Sequence, residues 1–335
     1  MNSSDCYIQK YQEKEYEAWD KFVLEESVNG TFLQTRKFLN YHPKDRFRDD
    51  SLLFFDKKGH LIATCPACKE IEKEKKVFYS HKGSTYGGLL IGKKYYNVES
   101  VIAIIEQLDI YLKNNKYDKV YLKITPDIFS KKRSDLIQFA LEYMNYQSYG
   151  ELNLYVPFNE YKADILSNFS QGKRTNIHNC EKAGIRIQQL YSQNEISIFY
   201  QILSETLAKY NISPIHSIEE LYDFANVRLR DECEFYGAYI EDEMIAGSMM
   251  FIFEPNKSAH AQYLCAKKGF ERLSPMSYMY YSMLKIMKER GIEKVSWGIT
   301  TENCGRYLNM GLAKSKEAYG SSYLVNRTYY KEITG

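Results

Sequence analysis

The chain runs twice through one order of secondary-structure signals, and no other feature limits its possible folds as strongly. In the first series, Ser51-Leu-Leu-Phe-Phe and Leu61-Ile-Ala-Thr-Cys flank the turn Asp56-Lys-Lys-Gly59, a strand–turn–strand signal. Lys69 to Lys76 is nearly all charged and reads as a solvated hairpin tip. Val77-Phe-Tyr-Ser begins a further strand that leads into the glycine-containing turn Gly83-Ser-Thr-Tyr-Gly-Gly88. Val101, Ile104, Ile105, Leu108 and Leu112 then fall on one helical face. A strand at Val120–Ile124, a helix over Ser134–Met144 and a strand at Leu152–Val156 complete the series.

In the second series, Phe235–Ile240 and Met244–Phe251 flank Glu241-Asp242-Glu243, Ala259–Leu264 is a strand, and Lys268-Gly269 is its turn. A helix opens at Ser274-Pro275, with Ser as N-cap, Pro at the first helical position and Gly291 as its end. The strand Lys294–Ile299, a helix-like segment reaching Tyr319 and a strand at Ser322–Val325 follow. Lys119-Val120 in the first series answers to Lys294-Val295 in the second, but identity between the halves is negligible, so the repeat rests on element order. An opening helix over Glu13–Glu26 precedes the series. Helical patterns at 164–169, 173–183 and 196–207 and a capping box at Ser217-Ile-Glu-Glu220 lie between them. The expectation is α+β: two similar domains, 1–158 and 159–335, the second beginning with a helical connecting segment over 159–230.

The length of 335 residues also favours two domains. With 45 Lys+Arg against 43 Asp+Glu, the net charge of +2 predicts no dominant phosphate-binding surface. No apolar run approaches the ~20 residues that cross a bilayer, and Met1-Asn2-Ser3-Ser4-Asp5-Cys6 lacks the basic head and apolar stretch of a signal peptide. A cytoplasmic protein is expected. Its seven scattered cysteines then read as free thiols. Cys65-Pro-Ala-Cys68 has redox or half-zinc spacing, but it ends a strand before a charged hairpin and has no second pair. No metal site is expected.

Several residues are candidates for chemistry. Ala266-Lys-Lys-Gly-Phe-Glu-Arg-Leu-Ser-Pro275 joins a strand to a helix start, where unpaired N–H groups can cradle an anion beside Lys267, Lys268, Gly269 and Arg272. Pro275 has no N–H to give, and an ordinary connecting loop has the same layout. Lys173, Arg174 and His178 cluster at one helix start, as an anionic headgroup site or as a solvated face. Tyr86-Gly87-Gly88 is either a close backbone approach to a ligand or a tight turn.

Four stretches resemble the GNAT superfamily, and within it the Fem-type and BioF2-like acyltransferase branch. They are Thr31-Phe-Leu-Gln-Thr-Arg36, Lys82-Gly-Ser-Thr-Tyr-Gly-Gly-Leu89, Gly172-Lys-Arg-Thr-Asn-Ile-His-Asn-Cys-Glu-Lys-Ala-Gly-Ile185, and the closing run that holds Asn309, Gly311, Leu312, Lys316, Tyr319 and Gly320 in family register. The resemblance spans nearly the whole chain and implies two tandem GNAT-like domains. It implies that the turn before Pro275 holds the pyrophosphate of acyl-CoA, with Lys267, Lys268, Gly269, Arg272 and Asn303 as its residues. The usual loop, (Q/R)-x-x-G-x-(G/A), is present only as a fragment around Gly269.

The same resemblance puts Lys316 near the acyl group, as an oxyanion donor, and His260 in the strand that holds it. A solvent-facing lysine and a packing histidine are the plain readings of both. Glu302 and Glu317 are weaker candidates for the base. Arg174, His178, Tyr86, Gly87, Arg306 and Asn309 become candidate acceptor contacts. The implied activity is N-acyl transfer from acyl-CoA to an amine on a sugar or cell-envelope precursor. The alternatives are aminoacyl-tRNA-dependent transfer to a peptidoglycan-type precursor, and a ligand-binding protein on a degenerate GNAT frame. Donation by tRNA is not favoured, because no coiled-coil arm or basic excess is visible. All of this requires the carboxy-terminal sheet to part beside the Ser274 helix, leaving a slot for an activated carbonyl.

Overall fold

The computed structural model describes residues 5–43 and 45–333, and the duplicated order becomes two units. One comprises the described residues of Met1–Glu151 and Val325–Gly335, the other Leu152–Leu324.

In the first unit, strands Cys6–Lys10, Leu52–Asp56, Leu61–Cys65 and Leu90–Ile91 form an antiparallel sheet in that order. A mixed sheet runs from Arg48–Asp49 through Cys68–Glu72 and Lys75–Ser80 to Lys119–Lys123, the last two parallel. Thr328–Glu332 adds antiparallel to Lys119–Lys123. The charged run is a hairpin, turning at Lys73 and Glu74 with positive φ. Helix Val98–Asn114 is capped by Asn97, whose side chain accepts from the Ser100 N–H. Its stripe of Val101, Ile104, Ile105, Leu108 and Leu112 is wholly buried. The opening helix is broken into a 3-10 turn at Glu13–Glu15, an α-helix at Tyr16–Lys21 and a wide π turn at Phe22–Glu26.

The Thr31–Arg36 stretch has a packing role in this unit. Gln34 is fully buried, and its amide donates to Gly87 O (2.8 Å) and Thr125 Oγ1 (2.7 Å). Its side-chain oxygen accepts from Thr31 N (2.7 Å) and its own carbonyl from Trp19 Nε1 (2.8 Å). Gly87 must be glycine, because a Cβ there would collide with the backbone of Ser80 and His81. Tyr86 is enclosed, stacked 5.7 Å from Phe129, with its hydroxyl 3.2 Å from Thr31 Oγ1. Close approach of backbones accounts for the glycines of Tyr86-Gly87-Gly88. Cys65 and Cys68 are buried thiols; burial pushes Cys68 up to about 12, which leaves a poor nucleophile.

In the second unit, Arg186–Leu190, Cys233–Ile240, Glu243–Phe253 and Ser258–Ala266 form an antiparallel series. Lys294–Ile299 lies parallel to Ser258–Ala266, and Asn153–Pro157 lies antiparallel on its other side. Helices Gln171–Lys182 and Pro275–Glu289 share a core with the sheet through Ile177, Cys180, Met279, Met283 and Met287. Helix Gln193–Ala208 covers the opposite face, where Phe199 occupies the space a Cβ on Gly247 would need. The capping box expected at Ser217–Glu220 is formed.

Three local expectations are corrected. Ser274 does not cap its helix: it sits at φ 55°, and its hydroxyl donates to Glu271 O (3.2 Å). Its backbone lies in the left-handed region rather than the extended region that a cap ahead of proline ordinarily takes. The closing helix is Met310–Glu317 and stops short of Tyr319, and the last strand runs on from Ser322 to Glu332. Among the described residues, no helix is long and apolar enough to cross a membrane.

Replacing Gln34 by Leu strands the Thr31 N–H, the Gly87 carbonyl and the Thr125 hydroxyl in a buried site. We expect a loss of about 3 kcal/mol or more, read as an early-melting transition of the first unit in scanning calorimetry. Thr35→Ala, which removes a cap on a four-residue helix, should cost about 1 kcal/mol.

Candidate functional site

The parallel pairing of Ser258–Ala266 with Lys294–Ile299 lasts for only three residue pairs, Ser258↔Lys294, Ala259↔Val295 and His260↔Ser296. Beyond His260 and Ser296 the two strands part. Gly298 makes the bend, with φ 79°, and its N–H folds back onto Ser296 Oγ (3.1 Å). A strand that leaves its ladder strands its carbonyls. Here Lys316, 4% exposed, supplies the partners: its Nζ donates to Gly298 O and Ile299 O, both at 3.0 Å. Burial pushes this ammonium down to about 8. It is held in place by the helix Met310–Glu317, whose cap is Asn309, the side-chain oxygen accepting from Leu312 N (3.1 Å).

His260 faces the same point. Its Nδ1 lies 3.2 Å from Ser296 Oγ, and Ser296 Oγ donates to Asn153 Oδ1 (3.1 Å). Burial first, and the Lys316 charge second, push His260 down to about 4, so it is neutral at pH 7. Ser296 and Asn153 carry no sequence signal, since they are common residue types far apart in the chain and meet only through strand pairing.

On the helix side of the sheet, Tyr280 stacks on Tyr319 (4.3 Å, 7°) and meets Trp297 edge-on (4.5 Å). Tyr319 OH donates to Ser277 Oγ (3.3 Å), and Ser277 lines a cavity of about 290 Å3 at the start of the Pro275 helix. Lys173, Lys209, Lys267 and Glu271 also line it. Lys173 Nζ sits 4.6 Å from the Tyr319 ring centre, and burial lowers its pKa. Three lysines against one carboxylate suit an anionic ligand.

Part of the backbone N–H set of this turn is engaged within the protein. Pro275 has no N–H. Those of Ser274 and Ser277 are bonded to the carbonyls of Phe270 and Ser274 (3.2 and 2.9 Å), and that of Gly269 meets both oxygens of the Glu271 carboxylate (3.1 and 3.0 Å). These three N–H groups of the turn are engaged by the protein's own acceptors.

The remaining sequence candidates disperse. Lys267 lines the cavity but pairs with Glu243 (2.5 Å), while Lys268, Gly269 and Arg272 lie on the exposed turn. Asn303 and Arg306 are exposed in the hairpin whose strands are Thr301–Glu302 and Tyr307–Leu308. Lys173 and Asn176 face the cavity from their helix, whereas Arg174 and His178 lie on its exposed side. Arg174 donates to Phe169 O (2.5 Å), and His178 lies 3.7 Å from Glu181. Tyr86 and Gly87 belong to the first unit. Among the described residues, no group of three or more His, Cys, Asp or Glu side chains could hold a metal ion.

Residues 167–307 match the family model described as Acetyltransferase (GNAT) domain. A sequence search of curated proteins finds no match. Among solved structures, FemX superposes with a TM-score of 0.69 at 11% identity, covering 97% of each chain. L-PGS from Bacillus licheniformis gives 0.62 at 12%, covering 97% of this chain and 92% of that one. A tandem GNAT protein from the clavulanic acid biosynthesis pathway gives 0.55 at 8%, covering 98% and 99%. At such identities the likeness is one of fold. Residues 167–307 are thus similar to a GNAT acetyltransferase domain, and the chain shares its fold with FemX and with the tandem GNAT protein.

Proposed function

We propose that this protein is an acyltransferase that passes an acyl group from an activated carbonyl donor to an amine on a sugar or cell-envelope precursor. The observation that carries this reading is the parting of the strands after His260 and Ser296, with the buried Lys316 ammonium fastened at that point. An amine attacking an ester or thioester places negative charge on the carbonyl oxygen. Two of the three Lys316 N–H groups are committed to backbone carbonyls, and the third is the donor offered to that oxygen. One preplaced donor of this kind contributes about 3–4 kcal/mol. The new C–N bond replaces the C–O or C–S bond, and the nitrogen gives up one proton to the departing group.

The lysine-rimmed cavity beside Ser277 serves the anionic part of the donor. Acyl-CoA and an aminoacyl ester on tRNA both offer phosphate there. The N–H groups already taken by Glu271 and by nearby carbonyls favour the second, because a single phosphodiester does not need the diphosphate cradle. Thermal shift assays separate the two: aminoacyl-tRNA should raise the unfolding temperature and acetyl-CoA should not. A shift with acetyl-CoA alone assigns the donor as CoA.

Lys316→Met should lower kcat by about 100- to 1,000-fold with either donor. Activity that survives this change in every acyl-transfer assay removes Lys316 from the reaction. In the native protein the donor is lost as Lys316 deprotonates, so kcat should fall as pH rises through about 8, well below the 10.5 of an ordinary lysine. Between those values the unfolded chain binds the proton and the folded chain does not, so this group makes stability rise with pH. Denaturant midpoints of wild type and Lys316→Met at pH 7 and pH 10 should therefore show that rise in wild type only.

A further inference from the structure

Four tyrosines of the first unit stand in one row across neighbouring strands. Tyr79 is paired with Tyr121, and Tyr121 with Tyr330, in direct register. Residues paired in this way share a face of the sheet. Tyr149, on the strand Gln147–Pro157, continues the row. Successive ring centres are 5.1 Å, 5.9 Å and 6.3 Å apart, with planes inclined by 33°, 34° and 38°. Phe78, Val120, Leu122 and Tyr329, one residue away on the same strands, belong to the buried core of the unit. The four tyrosines of the row are half-buried. Charged residues flank them and are balanced among themselves. Lys119 Nζ lies 3.0 Å from Glu332, and 4.9 Å and 5.2 Å from the ring centres of Tyr121 and Tyr330. Lys123 lies 3.5 Å from Glu151, and Lys82 lies 3.3 Å from Glu70 and 5.9 Å from the Tyr79 ring centre. Each of these lysines has a carboxylate beside it, so the strip lacks the cationic excess that draws a polyanion. It offers ring surface, phenol hydroxyls, and side chains that both donate and accept hydrogen bonds.

We propose that this row is a platform for a neutral glycan chain, whose sugars lie against Tyr121 and Tyr330 and bond through their hydroxyls to the flanking charged side chains. A pyranose with equatorial substituents presents a face of axial C–H bonds, and the electron-rich face of a phenol ring attracts them. The rings recur at roughly the strand spacing of about 4.8 Å, which matches the advance of a β-linked sugar chain from one unit to the next. Tyrosine supplies such contact at low conformational-entropy cost, because its side chain has two rotatable angles. The balanced charges favour a neutral chain over a nucleic acid. Nothing in the spacing of the four tyrosines announces the row, since they come from separate strands and meet only through register. The platform goes beyond the acyl-transfer reading and does not depend on it.

Isothermal titration of the full chain with chitotetraose and with cellotetraose tests this, with a uridine octamer as the charged comparison. At least one of the two sugars should bind wild type with a Kd of about 0.1–1 mM. Tyr121→Leu and Tyr330→Leu keep an apolar side chain but remove the ring, and each should weaken binding about tenfold. Tyr121→Phe keeps the ring and should stay within about threefold of wild type. No binding of either sugar at about 10 mM overturns the proposal, as does binding that both leucine variants leave unchanged. A row that only braces the sheet would show the second result, with lower unfolding temperatures and unaltered affinity. Binding of the uridine octamer in place of the sugars also overturns it and assigns the row to nucleic acid. Should the leucine variants fail to fold, NMR of wild type labelled in its tyrosine rings decides. The sugar must then move the signals of Tyr121 and Tyr330, identified through Tyr121→Phe and Tyr330→Phe, and shifts confined to other rings overturn the site. These measurements use no acyl donor, so their failure leaves the proposed function standing, and failure of that function leaves them intact.

Discussion

A cation buried on two carbonyls holds the second unit open. Parallel strands that part leave polar backbone without partners, and burying such groups is costly. The Lys316 ammonium removes that cost at Gly298 and Ile299. An apolar side chain of similar length could fill the space but has no donor for either carbonyl. The opening in the sheet and the charge beside it are thus one feature: the lysine that permits the gap also sets its electrostatics, and with burial, the larger cause, it holds His260 below its ordinary value.

Around this point the fold divides the work between two faces. On one, His260, Ser296 and Asn153 form a polar junction. On the other, Trp297, Tyr280 and Tyr319 form an aromatic wall that ends at Ser277 and the lysine-rimmed cavity. Strand alternation produces this separation directly, because Ser296 and Trp297 are adjacent in sequence and point to opposite faces. Gly298, immediately after them, supplies the bend that ends the ladder. The first unit repeats the order of elements but spends its glycine turn differently: Gly87 and Gly88 let backbone segments touch, and Gln34 binds them together.

The fold was legible to the degree that it was written in periodicity. The Val101–Leu112 stripe, the Ser217 capping box, the charged hairpin and the Ser274-Pro275 helix start are local patterns, and each gives an element in the expected place. Local reasoning failed where the tertiary structure overrode residue type. Ser274 is a good cap by type, yet it sits at φ 55° with its hydroxyl turned back to Glu271 O. Sequence also cannot show that Glu271 curls back onto the Gly269 N–H.

Composition and element order alone determined two α+β units with a strand–turn–helix near the end, because helix and strand periods are properties of neighbouring residues. Only the tertiary structure decided which side chains share the site. Lys316, His260, Ser296 and Asn153 come from four separate elements, and nothing in their spacing brings them together. Their meeting depends on strand register and on a ladder that ends after three pairs, quantities fixed by packing across the sheet.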